Sequence, residues 1–191
     1  FFPTVIAEKG RKFDVEIMPK LAASYLITKE LSIRGAISKG YSPPTIAEVR
    51  ASDNNINNNL QAESGWNYEG GIRYNLPNNR LYLAANVFQF NLNDAIVRRL
   101  NANDAEFFIN AGGTTQRGLE LETSFWLIRN SQSFLNGIEI RSSYTFNHFR
   151  FKEFTAGDLS FDGNKLTGVP SNVAVSSLDV QFSKGLYFFA Q

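Results

Sequence analysis

Few side chains in this sequence are equipped for chemistry, and their types narrow the question quickly. The 191-residue chain has no Cys and one His. Disulfide frameworks, zinc fingers and thiol nucleophiles are therefore excluded, and a Ser-His-Asp arrangement has a single available base, His148. That ring follows Tyr144 and Phe146 at a spacing of two, where an interfacial position beside aromatics explains it without catalysis. Asp53 stands alone beside the Asn-rich run 54–59, which lacks the carboxylates of a calcium loop and reads as a turn-forming connection. Gly112, Gly113 and Gly118 precede no helix, so they mark bends or close packing within a strand rather than a phosphate cradle. No catalytic residue, metal site or cofactor site is expected. Lys+Arg 19 against Asp+Glu 18 gives a net charge of +1, which argues against a dedicated nucleic-acid binder.

The remaining charges are ordered by the elements that carry them. With 43% hydrophobic residues, 17 Phe, 7 Tyr and 14 Gly, the composition suits long strands joined by polar turns. From 13 to 27 the odd positions are mostly apolar (Phe13, Val15, Ile17, Leu21, Tyr25) and the even ones more polar (Asp14, Glu16, Lys20, Ser24). Leu31, Ile33, Ile37 and Tyr41 repeat the pattern against Ser32, Arg34 and Ser38. Trp66, Tyr68, Ile72 and Tyr74 oppose Glu63, Asn67, Glu69 and Arg73. A fourth strand is expected over 80–100, with Tyr82, Ala84, Phe88, Phe90 and Leu92 on one face. Leu119, Leu121 and Phe125 oppose Glu120 and Glu122, and Ile138, Ile140, Tyr144 and Phe146 oppose Glu139, Arg141 and Asn147. Residues 166–183 and 185–191 supply the last two strands.

Connector lengths add a second signal. Tight turns near 28–30, 77–79, 129–133 and 184–185 alternate with longer polar connections near 43–60, 101–105 and 155–165. A transmembrane β-barrel has short turns at its periplasmic end and long loops outside, whereas a soluble sandwich has no reason for that asymmetry. The fold class expected is therefore all-β: an antiparallel up-and-down transmembrane β-barrel, of which residues 1–191 form one partial barrel domain of about eight strands. The apolar face would meet lipid, with Tyr25, Tyr74, Tyr82 and Phe125 as an aromatic girdle near the short turns. The polar face, with Glu63, Glu69, Arg73, Glu120, Glu122 and Arg141, would line a wet lumen. A passive pore or small barrel without a plug, and a soluble β-rich binding or adhesion module, are the alternatives these residues leave open.

Several stretches resemble the later part of the barrel in TonB-dependent outer-membrane receptors. They are MPKLAASY at 18–25 with SKGYSPPTIAEV at 38–49, NNLQAESGWNYEGGIRY at 58–74, FQFNLNDAIV at 88–97, FINAGGTTQRGLELETSF at 108–125 and LTGVPSNVAVSSLDVQFS at 166–183. The resemblance implies a barrel of about 22 strands filled by an N-terminal plug, in the bacterial outer membrane. The plug, the segment that binds TonB and the strand closing the barrel are expected outside this sequence. It implies active, TonB-driven uptake of a scarce large ligand, first of all a ferric siderophore, and no enzymatic activity. Glu69 in Tyr68-Glu69-Gly70 and Glu120 in Gly118-Leu119-Glu120 resemble the glutamates that pair with plug arginines. Arg50, Arg98, Arg99 and Lys165 on or beside outer loops, with Tyr41, Phe107 and Phe108, offer basic and aromatic contact for an anionic iron chelate. A haem ligand is disfavoured, because no His separates Tyr41-Ser42-Pro43-Pro44 from Asn57-Asn58-Asn59-Leu60.

Overall fold

The computed structural model describes residues 13, 15–50, 52, 56–130, 132–156 and 159–191. In chain order the first strands are β1 (Lys20–Leu26), β2 (Leu31–Ser42), β3 (Glu63–Asn75), β4 (Leu81–Asn93), β5 (Ile96–Leu100) and β6 (Glu106–Asn110). They are followed by β7 (Gly113–Arg129), β8 (Leu135–Lys152), β9 (Thr155–Ala156), β10 (Leu159–Ser160), β11 (Asn172–Phe182) and β12 (Tyr187–Ala190). Eight of them form one antiparallel meander in the order β1-β2-β3-β4-β7-β8-β11-β12. β5 and β6 pair only with each other, as do β9 and β10, so both are ribbons inside long connections. A single helical turn, α1 (Ile46–Val49), carries a capping box between Thr45 and Glu48.

Length and turn chemistry explain the meander. β7 and β8 run for 17 and 18 residues, against the roughly 9–11 that cross the hydrocarbon, so their outer ends stand clear of it. The short turns are self-contained: Thr28 Oγ1 accepts from the N–H groups of Glu30 and Leu31, each at 3.1 Å. Asn78 and Lys184 hold the left-handed conformation in two others, at φ of 65° each.

Several boundaries differ from the sequence expectation. The first strand starts at Lys20 rather than near 13, because Pro19 has no N–H to continue the ladder; its carbonyl still accepts from the Lys39 N–H at 3.0 Å. The expected strand over 80–100 breaks at Asp94, where φ is 55°. Beyond it the chain leaves the sheet as the β5–β6 ribbon, and the expected loop at 101–105 is only that ribbon's tip. The seventh strand begins at Asn172, not 166. Of the Asn-rich run, Asp53, Asn54 and Asn55 lie outside the described residues.

Register then sorts the side chains, since neighbours across a ladder share a face. Ser24, Arg34, Gly71, Asn86, Glu120 and Thr145 oppose one another in turn along one row of the polar face. The apolar face carries Leu21, Tyr25, Ile33, Ile72, Val87 and Leu121. That face is not covered: Leu21 is 70% exposed and Val87 57%, while Leu60 and Ala111 are the only buried apolar residues among those described. A soluble sandwich would have packed a second layer there.

β4 is corrected by its register. Tyr82 and Phe88 pair with Ser124 and Gly118, so Tyr82, Phe88 and Phe90 lie on the polar face and not with Tyr25, Tyr74 and Phe125. Tyr82 instead sits 5.9 Å under the Arg73 guanidinium. Phe88 and Phe90 are accommodated by glycines on the neighbouring strands, Gly118 directly opposite Phe88 and Gly65 diagonal to Phe90. A Cβ on Gly118 would meet Phe88 Cε1 at 2.5 Å, and one on Gly65 would meet Phe90 Cε2 at 2.7 Å. The Gly118→Val variant is therefore expected to lose about 1–3 kcal/mol of barrel stability through overpacking. A urea titration of the folded barrel in detergent checks this: the midpoint should fall, and Phe88→Ala in the same chain should recover part of the loss.

Candidate functional site

Two groups of side chains converge on the polar face. The first is a charged belt built from β2, β3, β4, β7 and β8. Nearest the short turns, Glu139 is buried and accepts from Ser124 Oγ and Arg141 Nη2, both at 2.6 Å. Arg141 also lies 3.8 Å from Asp179 on β11. Glu139 is thereby compensated, as a buried carboxylate requires.

Farther along the strands, the carboxylates have no such cation. Glu69 accepts from the Asn67 side-chain amide, and Glu120 from Asn86 Nδ2 at 3.4 Å. Among the described residues neither forms an ion pair, nor does Glu122. Arg34 approaches Asn86 across Gly71, where an added Cβ would stand 2.9 Å from Asn86 Oδ1 and 3.1 Å from Arg34 Nε. Glu69 on β3 and Glu120 on β7 are separated by β4. Two strand spacings put their backbones on the order of 10 Å apart.

The second group lies toward the long connections and is aromatic. Phe149 and Phe151 continue the polar-face phase of β8 beyond Asn147, opposite Gln116 and Thr114. Phe88 meets Phe149 edge-on at 6.2 Å, Phe151 stacks on Phe154 at 4.6 Å, and Phe161 closes on Phe154 at 6.0 Å. Arg99 from the β5–β6 ribbon places its guanidinium 5.1 Å from the Phe154 ring and donates to the Thr155 carbonyl at 3.1 Å. A cation held over stacked rings beside a polar wall suits a flat or anionic ligand surface.

The other expected contact residues are placed separately. Phe107 faces Arg99 across the ribbon, and Phe108 faces Arg98. Arg98 is engaged with Glu106 in an ion pair. Arg50 forms a β-bridge with Ile56 in the β2–β3 connection. Lys165 bridges to Arg150, and its Nζ reaches Ser171 Oγ at 3.4 Å. Tyr41 takes the apolar phase of β2, opposite Ser64, so it belongs to the other face. His148 is also on the apolar phase, opposite Arg117, and accepts from Arg150 Nε at 3.3 Å. Sequence reasoning singled out Arg99 but not Phe149, Phe151, Phe154 and Phe161, which the structure gathers near it. The available signal was the phenylalanine alternation that continues past Asn147.

The connections that carry these groups are fastened to one another. Asn57 Nδ2 donates to the Phe108 carbonyl at 2.8 Å, Asn110 Nδ2 to the Gln61 carbonyl at 2.9 Å, and the Glu106 N–H to Ser52 Oγ at 2.8 Å. Among the described residues no three His, Asp or Glu side chains are grouped to hold a metal ion.

A long-stranded meander with an uncovered apolar face, a polar inner wall and loops gathered at one end defines the wall of an outer-membrane β-barrel. The family model for the TonB-dependent receptor-like β-barrel matches residues 7–190. The chain belongs to that family, and it is a protein of the bacterial outer membrane. Its fold is similar to the FrpB iron transporter from Neisseria meningitidis, with TM-score 0.64 and 17% identity over 90% of this chain and 25% of that one. It is similar also to the pyoverdine outer membrane receptor FpvA from Pseudomonas aeruginosa, solved bound to pyoverdine, with TM-score 0.61 and 17% identity over 87% of this chain and 22% of that one. The copper transporter OprC gives TM-score 0.64 and 14% identity over 86% of this chain and 24% of that one. The chain thus spans about a quarter of the length of these structures. No curated protein matches. The matched family and these neighbours are receptors and transporters rather than enzymes.

Removing the Arg99 contact should release the β8–β11 connection. Arg99→Ala is expected to raise the rate of protease cutting within 153–165 by a few fold, the change that about 1 kcal/mol from a lost cation–π contact and hydrogen bond would produce. Limited proteolysis of the folded protein, with cut sites mapped by mass, checks this.

Proposed function

We propose that this chain forms the wall and part of the ligand mouth of a TonB-driven receptor that imports a ferric siderophore. The observation that carries the reading is the division of one inner wall into two zones. Arg99 and the phenylalanine cluster stand at the loop end. The ion-unpaired Glu69, level with Phe88, and Glu120, one row farther toward the short turns, stand below Phe149 and Phe151. The upper zone would catch an anionic chelate through charge and ring stacking, with Arg50, Arg98, Phe107, Phe108 and Lys165 on the surrounding loops and Tyr41 outside them. The lower zone would hold a plug domain in the lumen, each glutamate accepting from a plug arginine in a bidentate pair. The siderophore assignment draws support from neighbours such as the siderophore receptor PiuA from Acinetobacter baumannii. No ATP is available at the outer membrane, so energy would reach the plug from the inner membrane through TonB.

The roles of the two zones separate by mutation. In the full receptor, Glu69→Gln with Glu120→Gln should loosen the plug, admitting large antibiotics that the outer membrane excludes and lowering iron uptake by about tenfold or more. Each lost charge-assisted pair corresponds to about 1.5–3 kcal/mol. Arg99→Ala with Phe154→Ala should weaken ferric siderophore binding by roughly 5- to 30-fold, or about 1–2 kcal/mol, with the plug still seated. Unchanged antibiotic sensitivity and uptake in the glutamate pair variant would reject the lock.

A further inference from the structure

On the apolar face, one row of the ladder is unlike its neighbours. Thr123, Ser142 and Ser176 oppose one another on β7, β8 and β11, placing three small side chains side by side. The next row toward the loops holds Leu121 and Tyr144, and the next toward the short turns holds Phe125 and Ile140. Small residues between bulky rows leave a groove, which measures about 570 Å³ and extends past Leu83 to Ile72 and Tyr74 on β3. Ala85 and Ala174 widen it on either side.

The chemistry of the groove fits hydrocarbon rather than water. Ser142 Oγ and Ser176 Oγ are 2.9 Å apart and share one hydrogen bond, so one of the two hydroxyl protons is satisfied within the pair. The Tyr144 hydroxyl is turned to Asn172 Oδ1 at 2.7 Å. A hydroxyl left bare in lipid would be costly, and this pairing lowers that cost. The outer wall of a membrane barrel is covered by lipid along its hydrocarbon band. Acyl chains are therefore the groups that fill a depression there, since a void would forfeit contacts on every lining atom.

Position selects the leaflet. Tyr74 is the penultimate residue of β3, beside the tight turn at Pro77–Asn79, and Leu83 is the third residue of β4. The groove thus opens at the short-turn, periplasmic end of the wall on β3 and β4, where the bilayer leaflet is phospholipid, and runs from there to mid-strand at Thr123, Ser142 and Ser176.

We propose that this groove is a binding site for one acyl chain of a phospholipid in the periplasmic leaflet. The site holds the chain more persistently than the surrounding smooth wall and needs only the membrane location, not the transport reading. The test uses outer membranes containing the native protein, loaded with phosphatidylethanolamine that carries a diazirine midway along one acyl chain. After illumination, adducts are mapped by peptide mass. Labelling is expected to be several-fold higher on peptides bearing Thr123, Ser142 and Ser176 than on those bearing Leu21 and Ile33 of the same face. Filling the groove with Ser176→Leu, with Ser142→Ala to avoid an orphan hydroxyl, should bring it to the level of that smooth wall. Heat-modifiable migration on gels shows that the variant still folds. Uniform labelling along the face, or labelling undiminished in the filled variant, would overturn the proposal. So would preferential labelling by a lipid A probe, which would put the occupant in the outer leaflet. A filled variant that loses a native dimer would instead assign the groove to a second copy and equally overturn it.

Discussion

A peptide group in hydrocarbon has no water to bond, so each N–H and C=O in the membrane band must find a partner in the next strand. Between β1 and β12 that requirement is met by one antiparallel meander, β1-β2-β3-β4-β7-β8-β11-β12, and every other feature depends on its register. With period two along each strand, a slip of one residue would carry Glu69, Glu120 and Arg73 into lipid and Ile72 and Leu121 into the lumen. The energetic penalty of such a slip falls on many side chains at once, which is why the ladder tolerates no ambiguity across its central strands.

Once the register is set, the inner wall acquires its grading from the loop end to the turn end. Phenylalanines 88, 149 and 151 occupy the loop-side rows, and Arg34, Glu120, Glu122 and Arg141 the rows below. Glycines make the aromatic part possible. Gly118 and Gly65 sit where a side chain would strike Phe88 and Phe90, so the bulk on β4 is balanced by its absence on β3 and β7. The charged part divides in turn. Ser124 and Arg141 satisfy Glu139 within the wall, and Asp179 stands 3.8 Å from the same guanidinium. Among the described residues, Glu69 and Glu120 accept from side-chain amides and form no ion pair.

The long connections are built differently, because outside the membrane water satisfies the backbone and the ladder need not continue. They form short ribbons held by asparagine side chains and by Arg99, so that β5–β6 is tied to the connections on either side of it. This fastening makes a common surface from segments far apart in the chain.

The sequence by itself determined the period, the strand count and the asymmetry of the connections, and hence the barrel and the direction in which most side chains face. Those signals are local: alternation, a tight turn and a long polar loop are each contained within about a dozen residues. It also sufficed to place Glu69 and Glu120 on the inner phase. β4 was not legible in this way, because both of its faces are apolar and only pairing with Asn75 and Ser124 turns Tyr82 inward. The start of β1 was obscured as well, since alternation runs on through Pro19 although the ladder does not. The aromatic cluster at the loop end was decided almost wholly by tertiary structure. Arg99 was visible as a loop cation, but its partner Phe154 lies 55 positions along the chain and belongs to another connection. The same is true of the groove formed by Thr123, Ser142 and Ser176, which are unremarked residues until three strands align them. Periodicity along a strand fixes which way a side chain points; which side chains stand beside it depends on the pairing of strands, and that exists only once the sheet has formed.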